Sequence, residues 1–164
     1  MRPVAEKKGG NPITKSGYEK LVAERDRLWK KDRTKVVQEV SDAAALGDRS
    51  ENAEYIYGKK KLREIDKRLF FLNDRIERAI VIDPSSLHGD RVMFGATVTA
   101  EDTDSGKVST WMIVGEDEID VPAGRISHQS PIGRALLGKQ VGDEVTVVRP
   151  AGELLLEIKK LIFK

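Results

Sequence analysis

The sequence GDRSENAEY occupies residues 47–55 and separates two long segments that are rich in helix-forming residues. Residues 18–82 contain no proline, so no backbone break is encoded inside either segment. Gly47 suits the left-handed position just after a first helix, and Asp48 or Ser50 is a suitable N-cap for a second. The stretch therefore predicts the tip of an antiparallel helical hairpin.

A heptad pattern indicates that the two helices pack as a coiled coil. Thr14 is a suitable N-cap for the first helix, whose apolar spacing is interrupted by the charged residues 30–35. We expect a local distortion or loose packing there. The second helix, predicted to run to about Ile82, carries apolar or small residues at alternating steps of three and four: Tyr55, Gly58, Leu62, Ile65, Leu69, Leu72, Ile76 and Ala79.

After Asp83 the hydrophobic period changes to two. Alternation over residues 92–98, a turn at 104–106 and apolar residues at 111–114 predict a strand hairpin. A short helix follows from Pro131, and residues 143–148 and 153–163 predict two more strands. The fold class is α+β, with a disordered leader at 1–12, the coiled-coil hairpin at 13–82 and a small α+β domain with an antiparallel sheet at 83–164.

The charge distribution follows the same division. Residues 1–82 hold 20 Lys and Arg against 14 Asp and Glu, whereas residues 83–164 hold 9 against 13. The chain has no cysteine, which excludes thiolate metal sites, disulfides and cysteine nucleophiles. The first dozen residues lack the apolar run of a signal peptide, and we expect a cytoplasmic monomer that does not contact a membrane.

Two carboxylates at the tip, Asp48 and Glu51, allow two interpretations. Their spacing matches a capping box, which begins many ordinary helices. An exposed acidic pair can also hold Mg²⁺, which prefers oxygen ligands and is commonly bound by few carboxylates. Two carboxylates make an incomplete metal site, so a partner would have to supply the other ligands.

The tip and the segments around it resemble the Gre transcript-cleavage factors of bacterial RNA polymerase. The Asp-Arg-Ser-Glu-Asn sequence at 48–52 is more similar to the GreB branch than to the GreA branch. The resemblance extends from Ile13 almost to the end of the chain, and includes the segments 14–21, 130–137 and 141–143.

This resemblance implies that the second domain has an FKBP-like fold and that the hairpin enters the secondary channel of the polymerase. There Asp48 and Glu51 would help to hold a Mg²⁺ ion shared with the polymerase and not stably bound by the factor alone. The factor would stimulate cleavage of backtracked RNA, as an accessory protein and not as an enzyme. Tip residues expected to position RNA or polymerase loops are Arg49, Ser50, Asn52 and Tyr55, although Tyr55 also fits the coiled-coil core.

Two more surfaces follow from the resemblance. A basic face on the second helix, formed by Lys59, Lys60, Arg63 and Lys67, is expected to contact the nascent RNA 3′ segment; a solvated helix surface is the alternative. The polymerase-docking segment would contain Ser130, Pro131, Ile132 and Leu136. A capped helix that contributes Ile132 and Leu136 to the core is an equal alternative.

Two other functions remain open. One is a non-cleaving regulator that binds the same channel, although the intact acidic pair disfavours an inactive paralogue. The other is a prolyl isomerase or chaperone based on the second domain, which the low aromatic content of 5% disfavours. His88 and His128 have no acidic or serine partner at a recognisable spacing, and we assign them no catalytic role.

Overall fold

The computed structural model describes residues 9–47 and 51–164, and it divides into two compact units. The first unit is Tyr18–Arg78, with Gly9. The second combines Gly10–Gly17 with Ala79–Lys164. No helix in the described ranges is both long enough and apolar enough to cross a membrane.

The first unit is a helical hairpin. Helix α1 (Lys15–Arg27) leads through a π-helical turn (Leu28–Asp32) into α2 (Arg33–Ala45), and α3 (Ala53–Glu77) returns antiparallel. Its core contains Val36, Ile65 and Leu69, against which Leu28, Val40 and Leu62 pack. The predicted seam is confirmed from Gly58 to Leu72, because Gly58, Ile65, Leu69 and Leu72 are the buried residues of α3.

The distortion expected in the first helix is present as the π turn at Leu28–Asp32. In the first helical segment of the hairpin, from α1 to α2, the core-facing residues are Leu21, Leu28, Val36 and Ala43. Their spacings are seven, eight and seven residues. A π turn adds one residue to a helix, so it absorbs the extra residue between Leu28 and Val36. The charged run therefore begins inside a register correction, whose five residues include no buried one.

The second unit contains two sheets. Strand β1 (Asn11–Thr14) pairs in parallel with β2 (Ala79–Ile82). The five-stranded sheet has the order β5-β4-β3-β7-β6, formed by β3 (Ala96–Asp102), β4 (Val108–Val114), β5 (Arg125–Ser127), β6 (Glu144–Arg149) and β7 (Gly152–Phe163). Its pairs are antiparallel except for β4 with β5, and helix α4 (Pro131–Leu136) contributes Leu136 to the core.

The end of the second helix differs from the sequence prediction. Helix α3 ends at Glu77 with Arg78 as C-cap, and residues 79–82 are strand β2 instead of the last helical turn. Ile80, Val81 and Ile82 are β-branched residues that favour extended backbone, and β1 supplies their hydrogen-bond partner from far along the chain. Asn11 and Pro12, which were predicted to be in a disordered leader, belong to strand β1.

Two smaller corrections concern the start of the second unit. Asp83, which directly follows the predicted end of the second helix, is instead the N-cap of a short turn. Its carboxylate accepts hydrogen bonds from the Ser85 hydroxyl (2.6 Å) and amide (3.0 Å), which lower the pKa of Asp83 and cap a single 3₁₀ turn. The strand predicted from Val92 begins at Ala96, because Gly95 adopts a positive φ of 87° and turns the chain, although Val92 is buried in the core.

A buried carboxylate that the sequence analysis did not identify holds the start of α1. Glu118, 8% exposed, accepts hydrogen bonds from the Thr14 amide (3.0 Å), the Gly115 amide (3.1 Å) and the Thr14 hydroxyl. Thr14 Oγ1 in turn accepts from the Gly17 amide, which confirms Thr14 as the N-cap. An added Cβ on Gly17 would lie 2.3 Å from Glu118 Oε1, so only glycine permits this approach.

We predict that Glu118→Ala lowers the free energy of unfolding of the second unit by about 1–3 kcal/mol, because it leaves two buried amides without an acceptor. Glu118→Gln, which keeps one oxygen acceptor, should lose less. The measurement is urea denaturation followed by the fluorescence of Trp111 in a Trp29→Phe background, where Trp111 is the only tryptophan. Glu144→Ala, at an exposed position of β6, is the control. Equal curves for Glu118→Ala and the control would contradict the assignment.

Candidate functional site at the hairpin tip

The tip lies between the end of α2 and the start of α3. Gly47 has a φ of 129°, a backbone region that favours glycine, which confirms its predicted position just after the first long helical segment. Asp48, Arg49 and Ser50 lie outside the described residues. The description of the site therefore rests on Gly47 and on the residues from Glu51 onward.

Asn52 is the N-cap of α3, in place of the predicted Asp48 or Ser50. Its side-chain Oδ1 accepts a hydrogen bond from the Tyr55 amide at 3.1 Å, and its Nδ2 donates to the Ala43 carbonyl at 2.6 Å. The first bond satisfies a free amide in the first turn of α3, and the second satisfies a carbonyl in the last turn of α2. A single amide side chain thus joins the two helix ends at the tip.

Glu51 takes no part in this capping arrangement. It precedes the N-cap, is exposed, and makes no hydrogen bond or ion pair with another described residue. In the capping-box interpretation it would be the third residue of the helix and would bond back to the cap. Tyr55 occupies that third position, so the structure does not support the capping-box role for Glu51. Its carboxylate oxygens are the type of ligand that Mg²⁺ prefers.

The other tip residues have different surroundings. Asn52, predicted to position RNA or polymerase loops, is committed to holding the helix ends together. Tyr55 is half-buried, which is compatible with a place in the coiled-coil core and with a place on the tip surface. Glu54, in the first turn of α3, is exposed and adds a further negative charge near Glu51.

The basic face on α3 is exposed as predicted. Lys59, Lys60, Arg63 and Lys67 all have exposed side chains, and none forms an ion pair with another residue in the described part of the chain. Neighbouring arginines differ, since Arg68 bonds to Glu24 at 2.8 Å and Arg33 bonds to Asp66 at 2.8 Å across the hairpin. The four basic residues are thus available to an anionic partner.

The predicted docking segment belongs to the second unit, and its four residues differ in their exposure and contacts. Ser130 is the N-cap of α4: its hydroxyl accepts from the Gly133 amide at 3.1 Å and donates to the Ser127 carbonyl at 2.6 Å. Leu136 is fully buried in the core, so it has no surface to offer a partner, and Ile132 packs partly against the same core. Pro131 is exposed. Ser130 and Leu136 thus have the positions expected in the alternative interpretation, a capped helix that packs on the core.

Family models match both parts of the chain. Residues 11–81 match the N-terminal domain of transcription elongation factors, and residues 87–162 match the C-terminal domain of transcription elongation factor GreA/GreB. The chain belongs to the GreA/GreB family of transcription elongation factors. Members of this family are accessory factors of transcription elongation.

Curated relatives place the chain near the GreB branch. It is 53% identical to transcription elongation factor GreB of Pseudomonas aeruginosa over 89% of this chain and 87% of the relative. It is 48% identical to GreB of Haemophilus ducreyi over 92% and 93%. Among solved structures, GreA factor homolog 1 (Gfh1) of Thermus thermophilus is 28% identical over 93% of this chain and 98% of that one, with a TM-score of 0.41.

We predict that the Asn52 side chain stabilises both helix ends in this Gre factor. Asn52→Ala should reduce hairpin stability by about 1 kcal/mol and speed hydrogen exchange of the Tyr55 amide. Asn52→Asp keeps the acceptor oxygen but cannot donate to Ala43, so the Tyr55 amide should stay protected while the end of α2 frays. Amide exchange measured by NMR distinguishes the two variants. Unchanged exchange at Tyr55 in Asn52→Ala would contradict the capping assignment.

Proposed function

We propose that this chain enters the secondary channel of bacterial RNA polymerase and stimulates Mg²⁺-dependent endonucleolytic cleavage of backtracked nascent RNA, which rescues arrested complexes. Membership of the GreA/GreB family supports elongation as the process and the polymerase as the partner. The observation that carries the cleavage proposal is Glu51, an exposed tip carboxylate that no capping bond occupies.

In this proposal Asp48 and Glu51 contribute carboxylate oxygens at the polymerase active centre. The ion, when bound there, activates the attacking water and stabilises charge on the leaving oxygen. The chain would provide the charges of Asp48 and Glu51, and the Asn52 bonds hold the start of α3 directly after Glu51, while the polymerase provides the remaining ligands and the RNA. Arg49 and Ser50 are proposed to orient the RNA or polymerase loops beside the pair.

The basic face extends the same proposal along the hairpin. Lys59, Lys60, Arg63 and Lys67 are exposed without internal ion pairs among the described residues. Phosphate attraction of this kind is independent of sequence, which suits a segment of nascent RNA that varies from gene to gene. We propose that this face holds the RNA 3′ segment that backtracking extrudes.

We predict that Asp48→Asn or Glu51→Gln reduces stimulated cleavage by at least about a hundredfold at saturating factor, since each change keeps the shape and removes a charge at the metal. Binding to the polymerase should be nearly unchanged. The assay adds each variant to a stalled, backtracked elongation complex with 5′-labelled RNA and Mg²⁺. Glu54→Gln is the matched control, because Glu54 is an exposed acid of the same tip outside the proposed pair.

Three results of that assay have distinct meanings. Wild-type cleavage by both variants would contradict the role of the pair. Binding of the wild-type factor without any cleavage would identify a non-cleaving regulator of the channel. Cleavage of free RNA without polymerase would show that the tip is a complete active site, contrary to the proposal that the ion is shared.

Docking is proposed to use the exposed end of α4. We predict that Pro131→Glu raises the half-saturating concentration of factor several-fold without changing the cleavage rate at saturation, because an interface residue affects occupancy and not chemistry. Pro131 is preferable to Ile132 for this test, since Ile132 packs against the core. Circular dichroism checks the fold. A reduced saturated rate with an unchanged half-saturating concentration would contradict the docking role.

A further inference from the structure

Two aromatic side chains are exposed together on the hairpin. Trp29, in the π turn, is 59% exposed, and Phe70, on α3, is 77% exposed. Both line one open cleft of about 480 Å³, which also contacts Arg25, Asp26, Asp66 and Asn73. Large aromatic side chains dominate the energetics of cores and interfaces, so two of them left in solvent on one cleft require an explanation.

Phe70 lies on the helix face that carries the basic residues. It follows Lys67 by three residues and Arg63 by seven, and these spacings place all three side chains on the same side of α3. The buried seam of Ile65, Leu69 and Leu72 lies on another side of the helix, although Leu69 also lines the cleft. The basic face therefore runs from Lys59, near the tip, to an aromatic pair farther from it.

The charges in the cleft are already neutralised inside the hairpin. Asp66 is paired with Arg33 at 2.8 Å, and Asp26 with Arg25 at 3.4 Å. The Arg33 guanidinium also lies over the Trp29 ring, 5.4 Å from its centroid, which helps to fix the ring in place. The four cations of the basic face form no ion pair with another described residue, and they favour an anionic occupant.

We propose that Trp29 and Phe70 form a stacking site for a base of single-stranded RNA whose phosphates follow the basic face. Basic tracks combined with aromatic platforms are the usual means of binding single strands without sequence preference. This inference rests on the proposed function, which supplies the RNA, and adds to it a site for bases some distance from the acidic pair. From Ala53 to Phe70 the helical rise amounts to about 26 Å, so only a longer extruded segment would reach the aromatic pair.

The first test compares Phe70→Leu, which keeps an apolar side chain without a π face, with Phe70→Tyr, which keeps the π face. On deeply backtracked complexes, Phe70→Leu should raise the half-saturating concentration of factor by about fivefold or more, and Phe70→Tyr should not. On complexes backtracked by one step, both variants should match the wild type. The loss in Phe70→Leu should persist as salt rises, whereas the loss in Lys67→Gln should shrink.

A second test does not depend on cleavage. The Glu51→Gln factor is bound to a deeply backtracked complex whose extruded RNA carries a single 4-thiouridine, moved one nucleotide at a time. Irradiation should crosslink one position, or two adjacent positions, to Trp29 or Phe70.

The outcomes separate this inference from the proposed function. Absence of cleavage by the wild-type factor would contradict the proposed function, while the crosslink would still decide the stacking site. Crosslinks that map only to other residues would overturn the stacking site, as would equal losses for Phe70→Leu and Phe70→Tyr. Equal losses on shallow and deep complexes would instead assign the aromatic pair to a protein surface of the polymerase.

Discussion

The packing register of the helical hairpin is the constraint on which its surfaces depend. Leu21 and Leu28 lie seven residues apart, as do Val36 and Ala43, but eight residues separate Leu28 from Val36. In an unbroken α-helix one extra residue would rotate everything beyond it by about 100°. The π turn at Leu28–Asp32 absorbs that residue, so both halves of the long first segment face α3.

Because the packing register decides which side of each helix is buried, it also decides which residues the hairpin exposes. The buried side of α3 is set by Ile65, Leu69 and Leu72, and this leaves the basic residues and Phe70 outward. The same π turn places Trp29 at the surface beside Phe70, under the guanidinium of Arg33. A correction that packing requires thus also shapes the surface for which we propose RNA contact, in keeping with the frequent occurrence of π turns at functional sites.

The features that the sequence predicted are those with a local period. The heptads of α3, the π-turn distortion, Gly47, α4 and strands β6 and β7 all follow from spacing or turn residues within a few positions. The β1–β2 pair and the Glu118 carboxylate were missed because they join segments more than 60 residues apart. The N-cap was misplaced because Asp48, Ser50 and Asn52 are chemically similar candidates. The Ala43 carbonyl, a partner from the other helix, is reached by the Asn52 amide, which can donate as well as accept, whereas an ionised aspartate can only accept.

On the proposed function, the division of tasks at the tip would allow an accessory factor to carry an acidic pair without being a complete active site. Asn52 holds the helix ends, so Glu51 is free of structural bonds to the described residues and remains solvated. In water the interaction between two charges about 4 Å apart, repulsive or attractive, amounts to only about 1 kcal/mol, so an exposed carboxylate such as Glu51 binds a cation weakly. On the proposed function, entry into the polymerase removes that water, and the repulsion and the affinity for a cation rise together. The same pair then requires the ion that the polymerase active centre supplies.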